Sequence, residues 1–95
     1  MTSFPPITLD AQPRPAPQAH SRLLSHEAVI VRPDLGEIKV LNEVGARIWA
    51  LCDGARSVRD ISAALCAEYD VTAASAEADV LAFIAELQSK GLITI

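Results

Sequence analysis

The stretch EAVIVRPDLGEIKVLN, residues 27–42, decides the fold predicted for this chain. Residues 28–31 (AVIV) are apolar and mostly β-branched, which favours a β-strand. Residues 37–41 (EIKVL) alternate polar and apolar side chains, which is typical of a half-buried strand. Between these runs, residues 32–36 (RPDLG) combine Pro, Asp and Gly, the residues that favour a turn. The stretch therefore predicts an antiparallel β-hairpin, and residues 22–24 predict a short strand before it.

After the hairpin, apolar residues recur at helical spacing instead of at every second position. Asn42 is placed to cap a first helix, in which Val44, Ile48 and Leu51 share one face and which ends near Gly54. A second helix begins at residues 57–60 (SVRD), which have the form of a capping box with Asp in the last position.

The third helix is predicted to begin at Thr72, in preference to Ser75. Its core stripe follows the i, i+3, i+4, i+7 pattern and consists of Val80, Phe83, Ile84 and Leu87. Glu86, away from the stripe, can form an i, i+4 ion pair with Lys90. Residues 92–95 predict a short final strand or an apolar tail that packs under the sheet or along its edge.

This order of elements predicts an α+β, winged-helix-like domain: a small antiparallel β-sheet followed by three α-helices. Residues 1–20 carry five of the six prolines of the chain, so we expect a Pro-rich flexible tail there. Residues 21–95 form the predicted folded domain, which one modest core can stabilise in a chain of 95 residues.

Charge and composition exclude several classes of function. The formal net charge is −4, and the eight Lys and Arg residues are scattered, so nucleic acid is not an expected partner. A winged-helix transcription regulator remains an alternative hypothesis, but it requires a basic recognition helix. Without a predicted signal sequence or membrane-spanning run, we expect a cytoplasmic location and no membrane partner.

No catalytic, metal or cofactor site is predicted. Cys52 and Cys66 lie in helical patterns, lack zinc-type spacing, and are interpreted as structural thiols. His20 and His26 lie outside the helices, and the four glycines are dispersed rather than gathered in a phosphate-binding loop. We therefore predict a protein that is not an enzyme and that acts through a binding surface.

Two features could form that surface. If residues 37–41 lie at the sheet edge, their free backbone groups can pair with an extended peptide. The third helix also carries an outer row beside its core stripe: Ala78, Leu81, Ala85 and Gln88. Leu81 in this row either packs against the sheet or forms the floor of a peptide groove.

Several short motifs stand in order along the chain: LN (41–42), IW (48–49), CDG (52–54), Val58, Ile61, DV (79–80) and KGL (90–92). This series, which extends over about residues 22–93, resembles the PqqD-like family. The family consists of RiPP recognition elements, which bind the leader segment of a ribosomally made precursor peptide. They present the precursor to a modifying enzyme, a radical SAM protein in PQQ biosynthesis.

The resemblance implies that the leader adds as a strand to the sheet edge beside the third helix. Transferred by position, the predicted peptide-binding residues are Ile38, Lys39, Val40 and Leu41 on the strand and Leu81, Ile84, Ala85 and Gln88 on the helix. Residues 21–31 (SRLLSHEAVIV) differ from the Gln- and Trp-rich segment of PQQ-pathway members. They resemble the broader family, which also serves lasso peptides. A homodimerisation module that uses the same edge is the third hypothesis.

Overall fold

The computed structural model describes residues 7–95. It confirms the predicted α+β class, with a small antiparallel sheet followed by three helices. The elements are β1 (Arg14–Pro15), β2 (His20–Leu24), β3 (Glu27–Arg32), a 3₁₀ turn (Pro33–Leu35), β4 (Glu37–Leu41), α1 (Glu43–Leu51), α2 (Val58–Glu68), α3 (Ala73–Ser89) and β5 (Ile93–Thr94).

The main sheet is an antiparallel meander in the order β2-β3-β4, so β4 is an edge strand. Ala28 pairs with Leu41 and Ile30 with Lys39, which places these side chains on the face that meets the helices. The predicted hairpin is present, and its turn ends at Gly36, whose φ of 67° favours glycine.

The helix starts agree with the predicted caps. The Asn42 side chain accepts a hydrogen bond from the Gly45 N–H at the start of α1. Ser57 and Asp60 form the reciprocal capping box of α2, and Thr72 caps α3. These bonds satisfy backbone donors that have no partner within the helix, and each cap is worth about 1 kcal/mol.

One hydrophobic core lies between the sheet and the helices. It contains the inward side chains of β3, the apolar faces of all three helices and the residues next to β5. Its fully buried large side chains include Ile30, Val58, Ile61, Val80, Ile84, Leu87, Leu92 and Ile93. This core holds β4 and α3 on adjacent sides of α1.

The N-terminal segment differs from the predicted tail. Residues 7–19, which we call the strap, are packed against the domain, while residues 1–6 of the predicted tail lie outside the described range. Pro13 and Ala16 are buried, and the strap carbonyls of Leu9 and Ala11 accept hydrogen bonds from the first turn of α2. Proline does favour extended backbone here, but apolar residues at intervals give that backbone a face to bury.

The final strand is also placed differently from its prediction. β5 pairs with β1 of the strap in a separate two-stranded sheet, not with the main sheet. Leu92 and Ile93 are buried, so the strap and the C-terminal segment cover the core together. Within residues 7–95, no helix has the length and hydropathy needed to cross a membrane.

Candidate functional site

A groove separates the edge strand β4 from helix α3, and α1 forms its floor. Its volume is ≈ 310 Å³. β4 contributes Lys39, Val40 and Leu41, α1 and its cap contribute Asn42, Val44, Gly45 and Ile48, and α3 contributes Asp79, Phe83 and Glu86. Such a groove, between a free strand edge and a helix, can accept an extended peptide.

The register of the sheet determines which backbone groups of β4 point to this groove. The two-residue turn between β2 and β3 closes on the pair Leu24–Glu27, and a β-turn hydrogen bond joins its first and last residues. The backbone N–H and C=O groups of successive residues in a strand point alternately to its two neighbours. Ala28 and Ile30 therefore form their backbone hydrogen bonds with β4. Ile38 and Val40 therefore direct their backbone N–H and C=O groups to the open edge.

The side chains of Ile38 and Val40 stand on the sheet face away from the helices. Ile38 is 68% exposed and Val40 is 59% exposed, which are high values for large apolar residues in a strand. Edge strands with such free backbone groups and exposed apolar side chains are natural templates for an added strand.

An ion pair joins the two walls of the groove. Lys39 Nζ on β4 lies 2.8 Å from Glu86 Oε2 on α3. This bond and the positive charge of Lys39 lower the pKa of the Glu86 carboxyl below its ordinary value. The contact replaces the predicted pair with Lys90, which forms no ion pair within residues 7–95 although its positive charge also lowers the Glu86 pKa.

The floor of the groove is apolar and depends on a glycine. A Cβ atom on Gly45 would lie 3.2 Å from Phe83 Cε2 and 3.3 Å from the capping oxygen of Asn42. Phe83 is only half-buried, so part of its ring faces the groove. The absence of a side chain at Gly45 lets this ring lie against α1, which leaves the groove open above it.

The predicted strand residues reach the site in three different ways. Ile38 and Val40 present the open edge, and Lys39 lines the groove. Leu41 also borders the groove, but it is only 2% exposed, so its main contacts are with the core.

The predicted helix residues do not reach this groove. Ile84 is fully buried in the core, and Leu81 is partly buried against the core away from the groove lining. Ala85 and Gln88 are likewise absent from the lining. The structure places Asp79, Phe83 and Glu86 there instead.

The reason is helical geometry. At 3.6 residues per turn, Leu81 and Phe83 are separated by about 200° around the helix axis. A core stripe has two flanks, and the sequence does not show which flank faces β4. The predicted wall was the apolar row with Leu81 and Ala85, whereas the structure places Asp79 and Glu86 at the sheet edge.

The described residues include neither a readily ionised buried thiol at Cys52 nor a metal-binding group. Burial raises the pKa of the Cys52 thiol to about 12, which opposes formation of a nucleophilic thiolate. Among residues 7–95, no three His, Cys, Asp or Glu side chains form a group that could hold a metal ion. Helix α3 has three acidic residues and no Lys or Arg, a charge distribution that opposes contact with nucleic acid.

The family model described as coenzyme PQQ synthesis protein D (PqqD) matches residues 27–93 of the chain. Among curated relatives, a "PqqA binding protein" of Rhodopseudomonas palustris (strain HaA2) is 34% identical over 92 residues. That alignment covers 93% of this chain and 88% of the relative.

Two solved structures share the fold closely. One, "Lasso peptide synthetase B1 complexed with the leader peptide", has a TM-score of 0.80 and 26% identity, and the match covers 90% of this chain and 100% of that one. The other is the solution structure of the PqqD part of Methylobacterium extorquens PqqCD, described as a stand-alone RiPP recognition element. Its TM-score is 0.72 with 26% identity, and the match covers 87% of this chain and 88% of that one.

Proposed function

The chain belongs to the PqqD family, and we propose that it binds the leader segment of a ribosomally made precursor peptide at the open edge of β4. The leader adds as a fourth strand and lies in the groove between β4 and α3. The observation that carries this proposal is the open edge itself, with the backbone groups of Ile38 and Val40 facing a groove lined by Phe83.

The binding energy in this proposal has two sources. Main-chain hydrogen bonds to β4 supply affinity for any extended peptide, and the apolar floor near Phe83 and Ile48 selects the side chain that enters it. Lys39 neutralises Glu86, whereas Asp79 forms no ion pair within residues 7–95, so its negative charge on the α3 wall favours a basic residue in the leader beside it.

The domain acts as an adaptor in this proposal and performs no chemistry on the peptide. It presents the precursor to a modifying enzyme, for which a radical SAM protein is the proposed class. The expected location is the cytoplasm. The names of the relatives support the peptide role, since they refer to PqqA binding and to complexes with a leader peptide.

The test is calorimetric titration with a candidate precursor peptide, chosen as a short open reading frame from the genomic neighbourhood of this chain. Val40→Pro removes a backbone donor from the open edge and leaves the ladder to β3 intact. We expect peptide binding to be lost while the circular dichroism spectrum keeps its helical signal. Unchanged affinity in this variant would contradict strand addition at β4.

Leu23→Pro provides the matched control. By the same alternation, Leu23 directs its backbone groups to the other open edge of the sheet, on β2. Its side chain is as exposed as that of Ile38, so the two prolines disturb similar environments. The β2 variant is expected to bind the precursor as wild type does, and equal losses in both variants would point to general damage to the sheet.

A further inference from the structure

The face of the main sheet that points away from the helices is apolar and uncovered within the described chain. Across its three strands, His20, Val31 and Ile38 form one row, and Arg22, Val29 and Val40 form the next. An uncovered apolar face of this extent is a feature of interaction sites.

A shallow hollow lies in this face, over β2 and β3. It has a volume of ≈ 420 Å³ and is lined by His20, Ser21, Arg22, Leu24, Val29 and Val31. The hollow is separate from the peptide groove, with which it shares no lining residue.

One charged residue, Arg22, lines the hollow. Arg22 forms no ion pair within residues 7–95, and His20 stands on the same side of the hollow. Among residues 7–95, the hollow has no acidic lining residue, although the chain as a whole carries a net charge of −4. An apolar hollow with a basic rim is complementary to an apolar side chain flanked by carboxylates.

We propose that this outer face docks an acidic, apolar segment of a second protein. The proposal rests on the adaptor function proposed above. Since an adaptor presents its bound precursor to an enzyme, the second protein is the enzyme that acts on that precursor. Ile38 and Val40 lie on this outer face and also on the strand with the open edge. In a leader strand added to β4, every second side chain would point to the same outer face and extend it. One continuous surface then carries both the domain and its peptide.

A second copy of the chain fits this surface less well. Two hollows facing each other across a twofold axis would place two Arg22 guanidinium groups in one interface, where no lining residue supplies a carboxylate to pair with them. The charge of the rim therefore selects a partner that is acidic where the hollow is basic.

The test is a titration of ¹⁵N-labelled protein with the synthetic peptide acetyl-Glu-Asp-Phe-Asp-Glu-amide, followed by NMR. We expect amide shifts around Arg22, Val29 and Val31 and a dissociation constant in the millimolar range. Arg22→Glu should weaken binding about tenfold, because it replaces attraction by repulsion at the rim. Lys90→Glu makes the same change of charge at a residue that forms no ion pair within residues 7–95, and it should not alter binding.

Three results would overturn the proposal: shifts that map to the groove between β4 and α3, equal binding of a peptide with Lys at the four acidic positions, or equal losses in both charge variants. A dimer in sedimentation that is broken by Arg22→Glu would also overturn it, in favour of a second copy. The precursor titration is a separate experiment. If wild type binds the acidic probe but not the precursor, the adaptor function fails while the hollow stands as a docking site.

Discussion

Lys39 Nζ on β4 and Glu86 Oε2 on α3 lie 2.8 Å apart, so one ion pair ties the two walls of the groove. Both side chains are partly exposed, and we expect a coupling of about 0.2–1 kcal/mol in the free energy of unfolding. A double-mutant cycle with Lys39→Met and Glu86→Gln measures it by urea denaturation. The same cycle with Lys90→Met in place of the β4 variant is the control. A larger coupling to Lys90 would contradict the pairing seen across the groove.

The Gly45→Ala substitution tests whether the groove depends on the position of the Phe83 ring. The added methyl group would meet that ring at 3.2 Å, and the half-buried ring can give way only towards the groove. We expect lower affinity for the precursor in calorimetry with little loss of stability, because alanine gains up to about 1 kcal/mol of helix propensity over glycine.

Phe83→Leu in the Gly45→Ala background relieves that contact and provides the control. The double variant is expected to recover part of the affinity lost in the single one. If Gly45→Ala binds the precursor as wild type does, the ring is not what keeps the groove open.

Asp53 connects the loop after α1 to the stability of the fold at acidic pH. Hydrogen bonds from the backbone N–H groups of Arg56 and Ala55 hold the pKa of the Asp53 carboxyl below its ordinary value of 3.8. A carboxyl whose pKa is lower in the folded state stabilises the fold above pH 3.8, and the contribution is lost as the pH falls through the lower, folded pKa.

Asp53→Asn keeps an oxygen that can accept these bonds but removes the charge. We therefore expect the variant to be less stable than wild type at pH 7 and to approach wild-type stability as the pH falls below 3.8, as followed by urea denaturation. A difference in stability that stays constant over this range would show that the carboxylate charge is not responsible.

The strap offers a test of the domain boundary. A chain that begins at His20 lacks the buried Pro13 and Ala16 and the carbonyls that accept bonds from the start of α2. We expect its free energy of unfolding to fall by roughly 1–3 kcal/mol, since buried donors lose their partners and apolar surface is exposed. An unchanged denaturation midpoint would place the true boundary at residue 20, as the proline content predicts.

The conformation of the strap could be predicted from the sequence, but its packing could not. Proline content correctly indicates extended backbone around residues 13–17, but it does not show whether that backbone has a surface to cover. The surface is supplied by α2 and β5, which are more than 35 residues away in sequence. Only the assembled core brings them together.

Local sequence patterns were sufficient to predict the secondary-structure elements. Three signals act over only a few neighbouring positions: the alternation in residues 37–41, the turn residues before them, and the caps at Asn42, Ser57 and Thr72. The sequence by itself therefore determined the hairpin, the three helices and the family resemblance. The open edge of β4 was conditional in the sequence prediction, and the structure leaves it open because β5 pairs with β1 instead.

The helix wall of the groove was decided by the tertiary structure alone. Helical periodicity defines the core stripe of α3, and the residues on either side of the stripe are equivalent until the helix is packed against the sheet. That packing turned Phe83 and Glu86 towards β4 and left Leu81 elsewhere. The sequence by itself thus determined a strand that is followed by three helices, whereas the tertiary structure decided that this strand is an edge strand and which side chains of α3 meet it.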